Sequence, residues 1–168
     1  MAIIRAVFIT AESLMQETPA NSDIDVAMLR NLIWESQEIK IRSLLGCDLY
    51  DELVEQKIND AVTPENETLI EQYIRPALNN YVLAMNMPVF HYRIRNKGIV
   101  VQQGENTQSA DYSEVNAMSR LHADKAESFA NLMLKFLNKN IEDYPLFRNS
   151  DNCNCSGSDS AYMISFNL

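Results

Sequence analysis

The sequence predicts a mainly α protein: a compact bundle of about four helices with an inserted β-hairpin and extended termini. Three observations carry that expectation. The 168 residues include only four Gly and five Pro, so breaks are few and long helices are favoured over a many-turned β fold. Between 69 and 85 the apolar residues Leu69, Ile70, Tyr73, Ile74, Ala77, Leu78, Tyr81, Val82 and Met85 form two adjacent columns, the wide stripe of a packed helix. After Pro88 the pattern becomes FHYRIR, NKG and IVVQQ. These are two β-prone runs around a turn where Gly98 accepts a positive φ and Asn96 tolerates one.

Residues 1–23 read as an N-terminal arm in which Thr10 caps a short helix over 11–17, before Pro19, Asn21 and Ser22 interrupt. A domain then spans 24–148. Its first long helix, about 25–44, carries Val26, Leu29, Leu32, Ile33, Ser36, Ile39 and Leu44 on one face, with Gly46 placed as a left-handed terminator. A second helix over about 48–58 rests on Leu49, Leu53 and Val54, and the tight break between the two predicts a corner. Thr63 before Pro64, with Glu65 and Glu67 behind it, opens the next helix, and Pro76 predicts a bend inside it. The hairpin is expected at about 89–103. A polar stretch follows, and the last helix starts near Ser113 and ends near Asn140, along Val115, Met118, Leu121, His122, Lys125, Phe129, Leu132, Met133, Phe136 and Leu137. Helical rise makes it about 40 Å long. Residues 149–168 form a polar linker and an apolar tail, AYMISFNL.

A formal charge of −9 argues against binding nucleic acid by phosphate neutralisation. No run is long and apolar enough for a membrane span, and MAIIRAVFITAES reads as mature protein rather than a signal peptide. Cys47, Cys153 and Cys155 do not make a disulfide framework, so a reducing compartment is expected. His91 and His122 are isolated, and Cys153 and Cys155 lack the further ligands of a zinc site. Asp48, Asp51, Glu52 and Glu55 fall at helical spacing and read as a solvated face. With no glycine-rich phosphate loop and no Gly-x-Ser-x-Gly or Ser-His-Asp pattern, no catalytic residue, metal or cofactor is expected.

What remains suits an interaction protein. His91, Arg93, Arg95 and Lys97 concentrate positive charge on the hairpin of an acidic chain. Strand alternation puts Arg93 and Arg95 on one face, with Phe90, Tyr92 and Ile94 on the other. The basic face is either simply wet or a partner-binding edge. Tyr162, Ile164 and Phe166 in the tail either add a strand to a neighbour or fold back on their own domain.

The patterns SLLGCDLYDEL, LIEQYIRPALNNYVL, NKGIVVQQGEN and NKNIEDYPLF, over roughly 24–147, resemble head–tail connector proteins of tailed bacteriophages, in particular the neck ring proteins of crAss-like phages. That resemblance implies a non-enzymatic virion protein, assembled in the host cytoplasm. Copies would form a ring, usually dodecameric, that binds the portal above and a neck or tail ring protein below. DNA would pass through its channel without sequence-specific binding. The competing reading is a small helical regulator or inhibitor of a phage or host protein, acting as a monomer or dimer.

Overall fold

The computed structural model describes residues 6–18, 24–95, 98–101 and 111–147, with the backbone alone described over 91–101. These residues are mainly α and form five helices: α1 (Ala11–Glu17), α2 (26–45), α3 (Cys47–Ile58), α4 (64–91) and α5 (Tyr112–Lys139). Each long connection ends in a side-chain cap that satisfies a first-turn N–H. Thr10 accepts from Ser13, Asp25 from Met28 and Thr63 from Asn66, while Asp111 and Glu114 form a reciprocal capping box. Gly46, at φ 81° and ψ 161°, makes the α2–α3 corner in a region that a side chain would strain.

Two helices contain a π-turn. In α2, α-helical Val26–Ser36 passes into a π-turn, Gln37–Ile41, before Arg42–Leu45 resumes the α pitch. A regular helix burying Leu29, Ile33 and Ser36 would next bury positions 40 and 44. The extra residue moves burial to Ile41 and Leu45 instead, beyond Gln37, which shares the face of Leu29 and Ile33. This corrects the face expected from the sequence at Ile39, which is exposed; Val26 is exposed too, in the first turn, well before the π-turn. In α4, a π-turn at Ile70–Ile74 separates Pro64–Leu69 from Arg75–His91, with the Arg75 N–H reaching back to the Ile70 carbonyl. The wider turn stands immediately before Pro76, where an ordinary turn would lack a donor and meet the proline ring.

Pro88 brings a second correction. The hairpin was expected to start at 89, yet α4 runs through Pro88 to His91. The carbonyl that Pro88 cannot serve is that of Ala84, and Ser119 of α5 donates its hydroxyl to it at 2.6 Å. Phe90 therefore packs against the core from the last turn of α4, not from a strand face. Beyond it the backbone of Tyr92–Arg95 pairs antiparallel with Gly98–Val101, in the register Tyr92↔Val101 to Arg95↔Gly98. The Asn96–Lys97 part of the expected turn lies outside the described residues.

The core surrounds the middle of α4, where Ala77, Leu78, Asn79, Tyr81, Val82 and Leu83 are all buried, so neighbours enclose this helix on every side. Residues 6–18 belong to that core and are not a detached arm, because Phe8, Ile9, Ala11 and Leu14 are buried within it. Gln37 holds them there. Its amide accepts from the Phe8 N–H at 2.8 Å and donates to the Ala6 carbonyl at 3.1 Å and the Tyr50 hydroxyl at 2.9 Å. Tyr50 passes the network to Glu38, which pairs with Arg42.

α1 is fastened to α4 by a second polar group. Arg75 meets Glu17 at 3.0 Å and Glu71 at 2.6 Å, and Asn79 donates to Glu17. Burial works against charge on Glu17, but hydrogen bonds from Arg75, Ser13 and Asn79 and the Arg75 charge outweigh it and hold the carboxyl below its ordinary range.

Candidate interaction surfaces

α4 and α5 run antiparallel in one long seam. Along it Ser119 meets Ala84, His122 meets Asn80, Phe136 stacks on Tyr73, and the Tyr144 hydroxyl donates to the Glu65 carbonyl at 2.7 Å. Burial, with Asp143 and Glu65 nearby, pushes the Tyr144 phenol up to about 12, so it stays a donor. The seam thus has a clamped end at Tyr144 and an opposite end, beside Ser119, where the chain leaves α4 as the paired strands.

The basic residues expected on the hairpin fall at that second end. His91 closes α4, Arg93 pairs with Val100 and Arg95 with Gly98. Lys97, Tyr162, Ile164 and Phe166 lie outside the described residues, as do Cys153 and Cys155. The structure therefore brings His91, Arg93 and Arg95 onto one segment and leaves the tail candidates unplaced. Among the described residues no three His, Cys, Asp or Glu side chains are grouped to hold a metal ion, and no helix is long and apolar enough to cross a membrane.

His122 is buried in the seam at 4% exposure, with Nδ1 3.0 Å from Asn80 Oδ1. Asn80 uses its amide nitrogen on the Pro76 carbonyl, so its oxygen is the acceptor and His122 carries the proton on Nδ1. Nε2 is buried and has no partner among the described residues. Burial, and then the Lys125 charge, hold the imidazole below its ordinary value of 6.5. Unfolded His122 thus takes up a proton before folded His122 does. Its contribution to stability is complete above about pH 6.5, shrinks as the pH falls below that value, and levels off beneath the folded pKa. Thermal melts of the wild type are expected to fall between about pH 7.5 and about pH 5, and to fall less for His122→Gln, which can still donate to Asn80. Equal slopes would refute this role.

Apolar spacing in the sequence does not by itself separate the two faces of α5. The seam face is Val115, His122, Ala126, Ala130, Met133 and Leu137, whereas Met118, Leu121 and Leu132 point outward. Lys125, Lys135 and Lys139 share the outward side, and none has an ion-pair partner among the described residues. On α3 the exposed positions Asp48, Asp51, Glu55 and Ile58 recur at spacings of three and four, as one outer stripe. The alanines at 126 and 130 were the missed signal, since small residues at helical spacing mark where two helix backbones approach.

The fold and these surfaces define a helical protein whose conspicuous features are outward-facing stripes and a paired-strand excursion. By sequence the chain belongs to the family described as a family of unknown function (DUF6712), whose model matches residues 41–157. Neither the curated proteins nor the solved structures return a match.

Proposed function

We propose that this protein is a structural adaptor of a tailed-bacteriophage neck, forming a ring below the portal and joining the head to the tail without chemistry of its own. One observation carries the reading. Two of the patterns that resemble connector proteins, SLLGCDLYDEL and LIEQYIRPALNNYVL, supply residues of the buried frame. Leu45, Leu49, Tyr50 and Leu53 fill the corner around Gly46, and Ile74, Ala77 and Leu78 fill the centre of α4. Shared framing residues support a shared shape, and function in such a ring is shape.

In this reading Tyr92–Arg95 and Gly98–Val101 form an inserted hairpin whose basic positions, His91, Arg93, Arg95 and Lys97, meet a neighbouring subunit or the portal. The tail residues Tyr162, Ile164 and Phe166 add to an adjacent copy. The excess acid suits a channel wall that must not hold passing DNA.

Two variants of the full chain test it. Arg93→Glu with Arg95→Glu is expected to weaken assembly on the portal at least about tenfold while moving the melting temperature little. A large drop in melting temperature with normal binding of the folded fraction would make the ribbon part of the core. Removing 159–168 is expected to leave helical circular dichroism unchanged and to reduce assembly. Assembly at wild-type strength would end the tail's part in the reading.

A further inference from the structure

The outer stripes of α3 and α5 are complementary, and we infer that they pair with each other between adjacent copies of this chain. The inference deepens the ring reading and rests on it. On α3, Asp48 and Glu55 are exposed and lack ion-pair partners among the described residues, and Ile58 at the end of the stripe is 47% exposed. Asp51, between them, is engaged by Arg42 at 3.3 Å. On α5, Lys135 and Lys139 are exposed and similarly unpaired, and Leu132 is 52% exposed.

Laid antiparallel, the two helices put the acidic start of α3 against the lysines that end α5, and carry Ile58 toward Leu132. From Asp48 to Ile58 the rise is about 15 Å, and from Lys139 back to Leu132 about 10 Å. With Ile58 against Leu132, Glu55 meets Lys135, and Asp48 lies about 5 Å beyond Lys139, within reach of its side chain. The spacing of three and four on both stripes is that of helices that pack at a shallow crossing angle. In chain order each stripe reads acid to apolar on α3 and apolar to basic on α5, so the antiparallel register satisfies charge and apolar contact together.

The ring reading requires the contact to be heterologous, each copy offering α3 to one neighbour and α5 to the other, whereas the reciprocal arrangement of the same stripes would close as a two-fold dimer. The heterologous contact closes into a ring when the rotation between copies allows it. Each exposed ion pair contributes little alone. A ring repeats the contact at every interface, and the apolar ends add buried area.

The test uses four full-length chains: the wild type, D48K/E55K, K135E/K139E, and the chain carrying all four changes. Asp51 is left in place so that its pair with Arg42 survives, and circular dichroism checks folding. Sedimentation equilibrium is run at about 20 mM and about 500 mM salt, with and without the portal protein of the same phage. The wild type is expected to associate at low salt, each single-face reversal to weaken association at least about tenfold, and the four-change chain to recover most of it. The inference fails if the wild type stays monomeric in every condition, if the single-face reversals associate normally, or if the combined chain does not recover. Single-face reversals that still ring the portal overturn this interface and leave the neck reading standing. Salt-sensitive association that follows the charge pattern but ignores the portal supports the interface and removes the neck reading.

Discussion

Replacing Gln37 with leucine is expected to lower the unfolding free energy by about 3 kcal/mol, more than its modest change in shape would suggest. The side chain is fully buried and makes three hydrogen bonds, to the Phe8 N–H, the Ala6 carbonyl and the Tyr50 hydroxyl. Leucine fills a similar volume but strands a backbone donor and a backbone acceptor, and each buried group left unpaired costs roughly 1–3 kcal/mol. The loss is partly offset because residues 6–9 can move toward water and because Tyr50 keeps its bond to Glu38. Urea unfolding with an unchanged denaturant slope would register the effect as stability alone. Amide exchange should quicken first at Phe8, Ile9 and Leu14, which this amide ties to the bundle. A midpoint within error of the wild type would mean that apolar burial alone holds the segment.

Ala126→Leu is the second large effect expected, about 2–3 kcal/mol of destabilisation from overpacking. Ala126 is fully buried in the seam between His122 and Ala130, where a longer side chain must force α5 away from α4. That movement would strain the His122–Asn80 contact and the Ser119 hydroxyl on the Ala84 carbonyl together. For a chain of this size the shift corresponds to a melting temperature lower by roughly 4–12 °C. Leu132→Ala, on the outward face of the same helix, is the control and should stay within about 0.5 kcal/mol of the wild type. Equal effects at 126 and 132 would contradict the assignment of the two faces.

These two sites also show what the sequence made legible. Local chemistry was readable: Thr10, Thr63 and Gly46 signal helix ends by their own side chains or lack of one, and the structure uses all three. The central helix was readable too, since its apolar columns need no knowledge of neighbours. The π-turns were not, because an inserted residue leaves no mark in composition. The face of α2 therefore slipped by one position after Gln37, burying Ile41 and Leu45 in place of positions 40 and 44. Pro88 misled for a related reason. Its effect on α4 depends on a hydroxyl from Ser119, distant in sequence, and only the folded chain brings the two together. The candidate surfaces divided in the same way. Basic residues on the ribbon stand out in an acidic chain, whereas the outer stripe of α5 emerges only once Ala126 and Ala130 show which side faces inward.

The most direct test of the proposed neck role is the native mass of this chain mixed with the portal protein that the proposal assigns to it. The account predicts a closed ring of copies stacked on the portal, with lone chains depleted as the mixture approaches the ring's stoichiometry. A chain that remains single at every ratio, beside a portal of unchanged mass, would contradict it.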